Sequence, residues 1–521
     1  MPDLPRPRNH RRPLDASLVY GSMKLKLEQL LETLLKTLRN LGREKYFWLG
    51  MLLVTNFGVR LNRLSDPLTG YYEHRTTQTA FGIKSLTENT LNPFLAEMPA
   101  LGPPWKVPFE FPLYQFVAAL LARTRVFGID QAGRIVSTLS LMIIAYIVFK
   151  IASRENGNLL GLLASSVILF SSFGLLVGSE VLIDGFAVAL AFWAYSKVGD
   201  WRSVKPDVVG VLTVCCLIAT SALVKLNSTV IWVLGSIVLL TLNTTIKAKS
   251  RIVITAFLSF SLIPGVLWTS FADRVKSANR YTQWLQSSEM NLWHFGTIRD
   301  RLDFASISSA ISQFTQTTGG GTICFVVLVF FALIDKEKRA HTISLLVILV
   351  SGPLVFIRLY SVHSYYWMAV FPAAILLICL GLSTVGHILG SVFEQRNSQI
   401  SLIFLTGCLI FSTYVSKPGS DYMNIFLYRR PLPAASRVIV ENTKESDLII
   451  VIGDDWSPAT LYFSGRRGLT LRPGAPKPEP TELGDLYKYV YSWENNPPWD
   501  QYFPPGIKLV EVGEHLYRIG E

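Results

Sequence analysis

Long apolar stretches in this chain alternate with short charged loops, and Lys and Arg crowd into every second loop, a pattern that constrains the polypeptide to weave through a lipid bilayer. From Tyr46 onward about eleven segments have spanning length, among them 133–152, 157–178, 208–223, 252–271, 320–334 and 400–415. Half of the 521 residues are hydrophobic and 17% are charged, more apolar than a soluble core of this size requires. The expected class is a polytopic α-helical membrane protein.

The net charge of +12 does not point to nucleic acid, because the basic residues are spread over the N-terminal tail and the short loops instead of forming one patch. They match the anionic cytoplasmic leaflet, so membrane lipids are the expected partner. The five cysteines lie inside apolar segments without metal-ligand spacing and read as small packing residues. No removable signal peptide is evident before Tyr46.

With the basic tail 1–45 in the cytoplasm, a first helix at about 46–63 runs outward into a long polar loop, 64–132. Phe111–Val126 is short, contains Gln115 and ends in Arg123 and Arg125. Read as a helix lying in the membrane interface, it leaves Lys150/Arg154, Lys197/Arg202/Lys205, Lys247/Lys249/Arg251, Lys336/Lys338/Arg339 and Arg396 all cytoplasmic. The transmembrane part then spans 46–416, and residues 417–521 lie outside, at the far face of the inner (plasma) membrane. In that last part Val438–Val440, Leu448–Ile452, Leu469–Leu471 and Lys508–Val512 read as strands separated by turns such as Gly453-Asp454-Asp455, a small extracytoplasmic α/β domain.

Ionisable groups at membrane depth need a reason. Asp184 opens a helix at its outer end and reads as an N-cap or as a functional carboxylate. Lys225 closes an apolar helix, where snorkelling competes with a role in binding. Arg358 and His363 flank the Tyr365-Tyr366 segment, where anchoring at the interface is the ordinary explanation. In the first outer loop, Glu73 and Glu110 can serve as a general base or metal ligand, and His74 and Arg75 can hold a phosphate. What favours function over the bland explanations is that all of these fall on one face of the membrane.

The large loop after the first helix, the segment Glu110-Phe111-Pro112-Leu113-Tyr114-Gln115 and the Asp at the outer end of a helix resemble the membrane-embedded C-type glycosyltransferases. Within them the chain is most similar to bacterial members of glycosyltransferase family 39, relatives of protein O-mannosyltransferases and aminoarabinose transferases. His74-Arg75-Thr76-Thr77-Gln78-Thr79-Ala80 is similar to their Trp-Arg-x-x-(Asp/Gln)-Thr-Ala signature, His363-Ser364-Tyr365-Tyr366 to a His-x-Tyr-Tyr segment, and Asp454-Asp455-Trp456-Ser457-Pro458 to a motif of the distal domain.

The resemblance implies transfer of a sugar from a polyprenyl-phosphate donor to a glycan, lipid or protein acceptor at the outer face, with inversion. On that reading Glu73 is the first base candidate, with Asp184 and Asp66 as further carboxylates. Arg75, Lys225, Arg358 and His363 would hold the lipid phosphate, while His74, Gln78, Glu110, Tyr365 and Tyr366 would line the substrate site. The chain lacks the Asp-Glu pair that the O-mannosyltransferases and aminoarabinose transferases carry in this loop. No Asp-x-Asp occurs there either, so a divalent metal is not supported and no cofactor is expected. A lipid-linked-sugar flippase or transporter is the alternative; it would show two related halves with charges at the midplane, and no internal repeat is found.

Overall fold

The computed structural model describes residues 44–318, 322–392, 417–428 and 430–520. The expected basic tail, apart from its last two residues, and the expected span at 400–415 lie outside these residues. The helical part opens with α1 (Lys45–Leu61), followed in the first loop by α2 (Glu73–Glu88) and α3 (Leu113–Arg123). Helices α4 (Ile129–Asn156), α5 (Asn158–Phe170), α6 (Ser172–Val177), α7 (Asp184–Asp200), α8 (Val208–Leu242), α9 (Ala248–Phe260) and α10 (Ile263–Ser277) come next. Further helices cover Phe304–Thr318, Thr322–Ile334, Arg339–Val355 and Phe371–Val392.

By length and composition four helical stretches among the described residues can cross a membrane, 129–154, 208–242, 248–277 and 371–388, and the other apolar helices are shorter. Helix length alone therefore does not reach the expected count of about eleven. Helix α3, with 11 residues, extends only about 16 Å, half of a bilayer core. The expected span at 157–178 is divided, because Ser171 stops α5 in extended backbone and its side chain accepts the Gly174 N–H to start α6.

Helix α8 is not one rod. Lys225 has φ −160° and ψ 91°, and the Ser221 and Thr229 hydroxyls meet at 2.6 Å although one straight helix would hold residues eight apart about 12 Å from each other. The chain reverses at Lys225, giving two arms of roughly 17 residues, about 25 Å each. Both ends of the hairpin return to Trp201: Asn243 donates to its carbonyl (3.0 Å), and Gly210 in the first turn packs beside its indole nitrogen. The sequence places a helix end at Leu223; the structure makes that end a hairpin tip.

Basic residues of alternate loops gather at one end of the bundle. Lys150 and Arg154 both bind Asp200 (2.6 and 2.9 Å), Arg202 meets His341 Nδ1 (3.0 Å), and Lys338 pairs with Asp335 (3.0 Å) and Ser383 (2.9 Å). The hairpin tip lies at the opposite end. Between the two ends a continuous apolar core includes Phe192 and Trp232, whose rings lie 4.8 Å apart, with the Trp232 indole donating to Ala369 O (2.8 Å).

The C-terminal sheet comprises β1 (Leu448–Ile452), β2 (Arg467–Leu471), β3 (Tyr487–Ser492), β4 (Leu509–Gly513) and β5 (Leu516–Ile519) in the order β2-β1-β3-β5-β4. β1 runs parallel to β2 and β3, while β5 is antiparallel to β3 and β4. Three of the four expected strands are present. Val438–Val440 instead belongs to a helix, Ala434–Asn442, because Ala435 and Ile439, one turn apart, both reach the core. Strands β3 and β5 were not anticipated.

The first outer loop closes the free edge of β2. Gly468 N–H donates to Pro99 O (3.0 Å), Thr470 N–H to Ala100 O (2.8 Å), and Gly102 N–H to Gly468 O (3.1 Å). Arg467 adds an ion pair to Glu97 (2.9 Å). The sheet domain is thereby fixed over the loop that carries Glu73 and Arg75.

Candidate active site

Helix α2 starts at Glu73, so its first turn presents Glu73, His74 and Arg75 at the end of the bundle where α8 reverses. The Arg75 guanidinium reaches both Glu110 and Gln78. Glu110 is brought there by a loop tied down on both sides: Trp268 donates to Phe109 O (3.1 Å), and Phe111 N–H donates to Leu223 O (3.0 Å), two residues before Lys225.

Lys225 sits in the turn with its Nζ 2.6 Å from Asp184, and the two side chains are 2% and 1% exposed. Asp184 does not cap its helix; it is the first residue of α7, and its carboxylate turns to the lysine. The pair is close but not aligned for hydrogen bonding, which leaves further bonding capacity on both groups. Lys225 Nζ also lies over the rings of Tyr366 (4.6 Å) and Tyr365 (5.4 Å), a placement that favours a cation. His363 stacks on Tyr365 (5.3 Å) and meets Trp293 edge-on (5.7 Å). Tyr72 closes the far side, with its hydroxyl 2.7 Å from Ser364 Oγ.

Helix α2 also faces the sheet domain. The His74 ring meets Trp456 edge-to-face at 4.4 Å, and Trp456 packs further against Phe109 and Trp284. Burial, and then the neighbouring Asp454 carboxylate, push the Glu73 carboxyl up to about 7, with Arg430 acting in the opposite sense. Burial and the adjacent Asp455 raise Asp454 to about 6 against a Ser457 hydrogen bond. Burial with the cations Arg75 and Lys225 nearby brings His363 down to about 4; burial with Arg75 and His363 does the same for His74. Both imidazoles are therefore neutral at pH 7. Burial alone would raise Glu110, but Arg75 and Lys225 overcome it and hold the carboxyl below its ordinary range.

A cavity of about 320 Å³ opens beside Arg75, Gln78 and Glu110, with Phe94, Phe109, Trp268 and Phe271 among its walls. The cavity joins an ionic rim to an aromatic trough. An anion with a long apolar tail suits this combination, with its charge on Arg75 and its chain along the aromatic wall.

Of the sequence candidates, Glu73, His74, Arg75, Gln78, Glu110, Asp184, Lys225, His363, Tyr365 and Tyr366 come together at this end. Two stand apart. Asp66 pairs with Arg63 (3.0 Å), whose guanidinium also binds Ile425 O (2.8 Å) and Phe426 O (2.6 Å). Arg358, 44% exposed, pairs with Asp300 at 3.3 Å. Sequence reasoning overlooked Arg60 and Arg134, and it allowed Glu180, one turn before Asp184, to be solvated; all three are buried close to the loop. Arg134 holds the carbonyls of Ser179, Leu64 and Pro67, and Arg60 those of Gly174 and Leu175. Their signal was their position next to or within apolar runs. Among the described residues no group of three or more His, Cys, Asp or Glu side chains is arranged to hold a metal.

No protein-family model and no curated protein sequence matches the chain. Solved structures do. ArnT from Cupriavidus metallidurans bound to undecaprenyl phosphate superposes with a TM-score of 0.60 at 10% identity, over 91% of this chain and 97% of that one. Its apo state gives 0.58 at 11% identity, over 91% and 98%. The mycobacterial arabinofuranosyltransferase AftD gives 0.54 at 10% identity, over 89% of this chain but only 39% of its own length. With likeness along almost the whole chain, helical bundle and sheet domain included, this protein has the fold of the C-type membrane glycosyltransferases.

Proposed function

We propose that the chain is an enzyme of the bacterial inner membrane that transfers a sugar from a polyprenyl-phosphate donor to an acceptor at the extracytoplasmic face. One observation carries this reading: Arg75 and Lys225, distant in sequence, meet at one end of the bundle, where Arg75 lines a cavity with an aromatic trough. That end lies opposite the gathered loop cations, which by the distribution of Lys and Arg belong to the cytoplasmic side. Helix α3, too short to cross, then lies along the interface.

In the proposed reaction an acceptor hydroxyl oxygen attacks the anomeric carbon of the donor. The carbon–oxygen bond to phosphate breaks, and its electron pair stays on the phosphate oxygen. The hydroxyl proton passes to Glu73, a carboxylate poised near neutrality by burial and Asp454. Arg75 and Lys225 face the charge that grows on the leaving phosphate in a site of lowered dielectric. Asp184 fixes the position of Lys225, while His74 and His363, neutral, are available to hydrogen-bond without adding charge. A single displacement of this kind inverts the anomeric centre.

The test is transfer by the purified chain from polyprenyl-phosphate-linked sugars to an envelope extract, followed as release of polyprenyl phosphate. Glu73→Gln and Arg75→Gln are expected to lower turnover at least about a hundredfold, the scale of one general base or one charge-stabilising donor. Movement of intact donor across vesicles without cleavage would establish a flippase instead.

A further inference from the structure

Each of the two cations proposed to face the phosphate already has a carboxylate partner before any ligand arrives. Arg75 is bound to Glu110 and Lys225 to Asp184, so two cations face two carboxylates. The pairs differ in their surroundings. Asp184 and Lys225 are sealed, whereas Arg75 and Glu110 are 15% and 25% exposed and both line the cavity. An anion that approaches Arg75 therefore meets a resident carboxylate, not only water. That carboxylate cannot drift far, since its neighbours Phe109 and Phe111 are both anchored through their backbones. Lys225 and Arg75 also hold it in the charged form.

This inference rests on the proposed donor chemistry, in which the lipid's charge changes during the reaction. A sugar-carrying phosphodiester bears one negative charge, and the phosphomonoester left behind bears about 1.5 to 2 at pH 7. A bare Arg-Lys site would hold the product more tightly than the donor. We propose that Glu110 is a specificity-determining residue that competes with phosphate for Arg75, so that the site admits the singly charged diester and disfavours the more highly charged monoester. A fixed negative charge beside the phosphate repels the second ligand charge as well as the first, which is the physical source of the discrimination.

The test uses the full chain in detergent, with undecaprenyl phosphate and its methyl diester as probes, titrated by quenching of tryptophan fluorescence at pH 7.5. Glu110→Gln is expected to bind the monoester roughly tenfold more tightly, with a smaller gain for the diester, so that the monoester-to-diester preference rises. Glu110→Asp keeps the charge and is expected to keep the wild-type preference. An unchanged preference in Glu110→Gln, or weaker monoester binding, would overturn the inference and leave Glu110 as a support for Arg75. Arg75→Gln is expected to weaken both probes; if it weakens neither, the phosphate does not sit on Arg75, and the functional reading falls together with the inference. Weakening by Arg75→Gln alongside an unchanged preference in Glu110→Gln sinks the inference alone.

Discussion

Asp184 holds the ammonium of Lys225 at 2.6 Å inside the bundle, at the point where α8 turns back on itself. Removal of one partner leaves the other charged and buried, a loss on the order of 3–5 kcal/mol. Asp184→Asn and Lys225→Met are each expected to lower the unfolding temperature in detergent by several degrees. The double variant Asp184→Asn/Lys225→Met is expected to recover much of that loss while remaining inactive. Additive losses in the double variant would show that the pair is not energetically joined.

In the proposed reaction Glu73 sets the pH response: with its deprotonated form as the base, kcat/KM is expected to rise as pH passes through about 7. Asp454→Asn removes a like charge and should move this limb to lower pH, and Glu73→Gln should abolish it. The stability effect has the opposite sense: the folded state holds a proton that the unfolded chain releases near 4.5, so this contribution is full below 4.5 and fades as pH rises through about 7. Thermal unfolding of wild type and Glu73→Gln between pH 4 and 8 measures it.

Gly468 lies where three strands of chain converge: its N–H binds Pro99 O, and a Cβ there would fall 1.8 Å from Ile449 O. A backbone oxygen in a parallel ladder has little room to yield. Gly468→Ala is expected to cost at least about 1–3 kcal/mol, the range for overpacking, and to loosen the sheet domain from the first outer loop. Trypsin should cleave the region around Arg466 and Arg467 faster in the variant than in wild type.

His74 and Trp456 join the first outer loop to the sheet domain by an edge-to-face contact worth roughly 0.5–1.5 kcal/mol beyond the area buried. Trp456→Ala is expected to lower turnover more than it lowers affinity for undecaprenyl phosphate, because it displaces Glu73 and His74 directly and reaches the lipid site only through Phe109, where Trp268 and Leu223 hold the backbone on either side of Glu110. Equal losses in both would mean that the domain serves the lipid site as well.

The sequence carried the layout of the bundle further than its chemistry. Alternation of apolar runs with basic loops correctly grouped Lys150, Arg154, Arg202 and Lys338 at one end and Glu73, Asp184, Lys225 and His363 at the other, since burial and loop charge act locally along a chain. Partner choice is a tertiary property and could not be read. Arg358 has the same local look as Lys225, yet it meets Asp300 near the surface, and Asp66 is taken by Arg63. A return near Lys225 was implied by the span 208–223 lying between the basic loops 197–205 and 247–251, but its sharpness was not legible, because both arms of α8 are equally apolar and the turn contains no Gly or Pro. In the sheet domain Val438–Val440 has strand composition, but the turn-to-turn spacing of Ala435 and Ile439 decided for a helix.

The most direct measurement is a cryo-EM structure of the chain in lipid nanodiscs with undecaprenyl phosphate. The phosphate should lie within hydrogen-bond reach of Arg75 and near Lys225, with the prenyl chain along Phe94, Phe109, Trp268 and Phe271. A phosphate bound at the opposite end, among Arg154, Arg202 and Lys338, would contradict it.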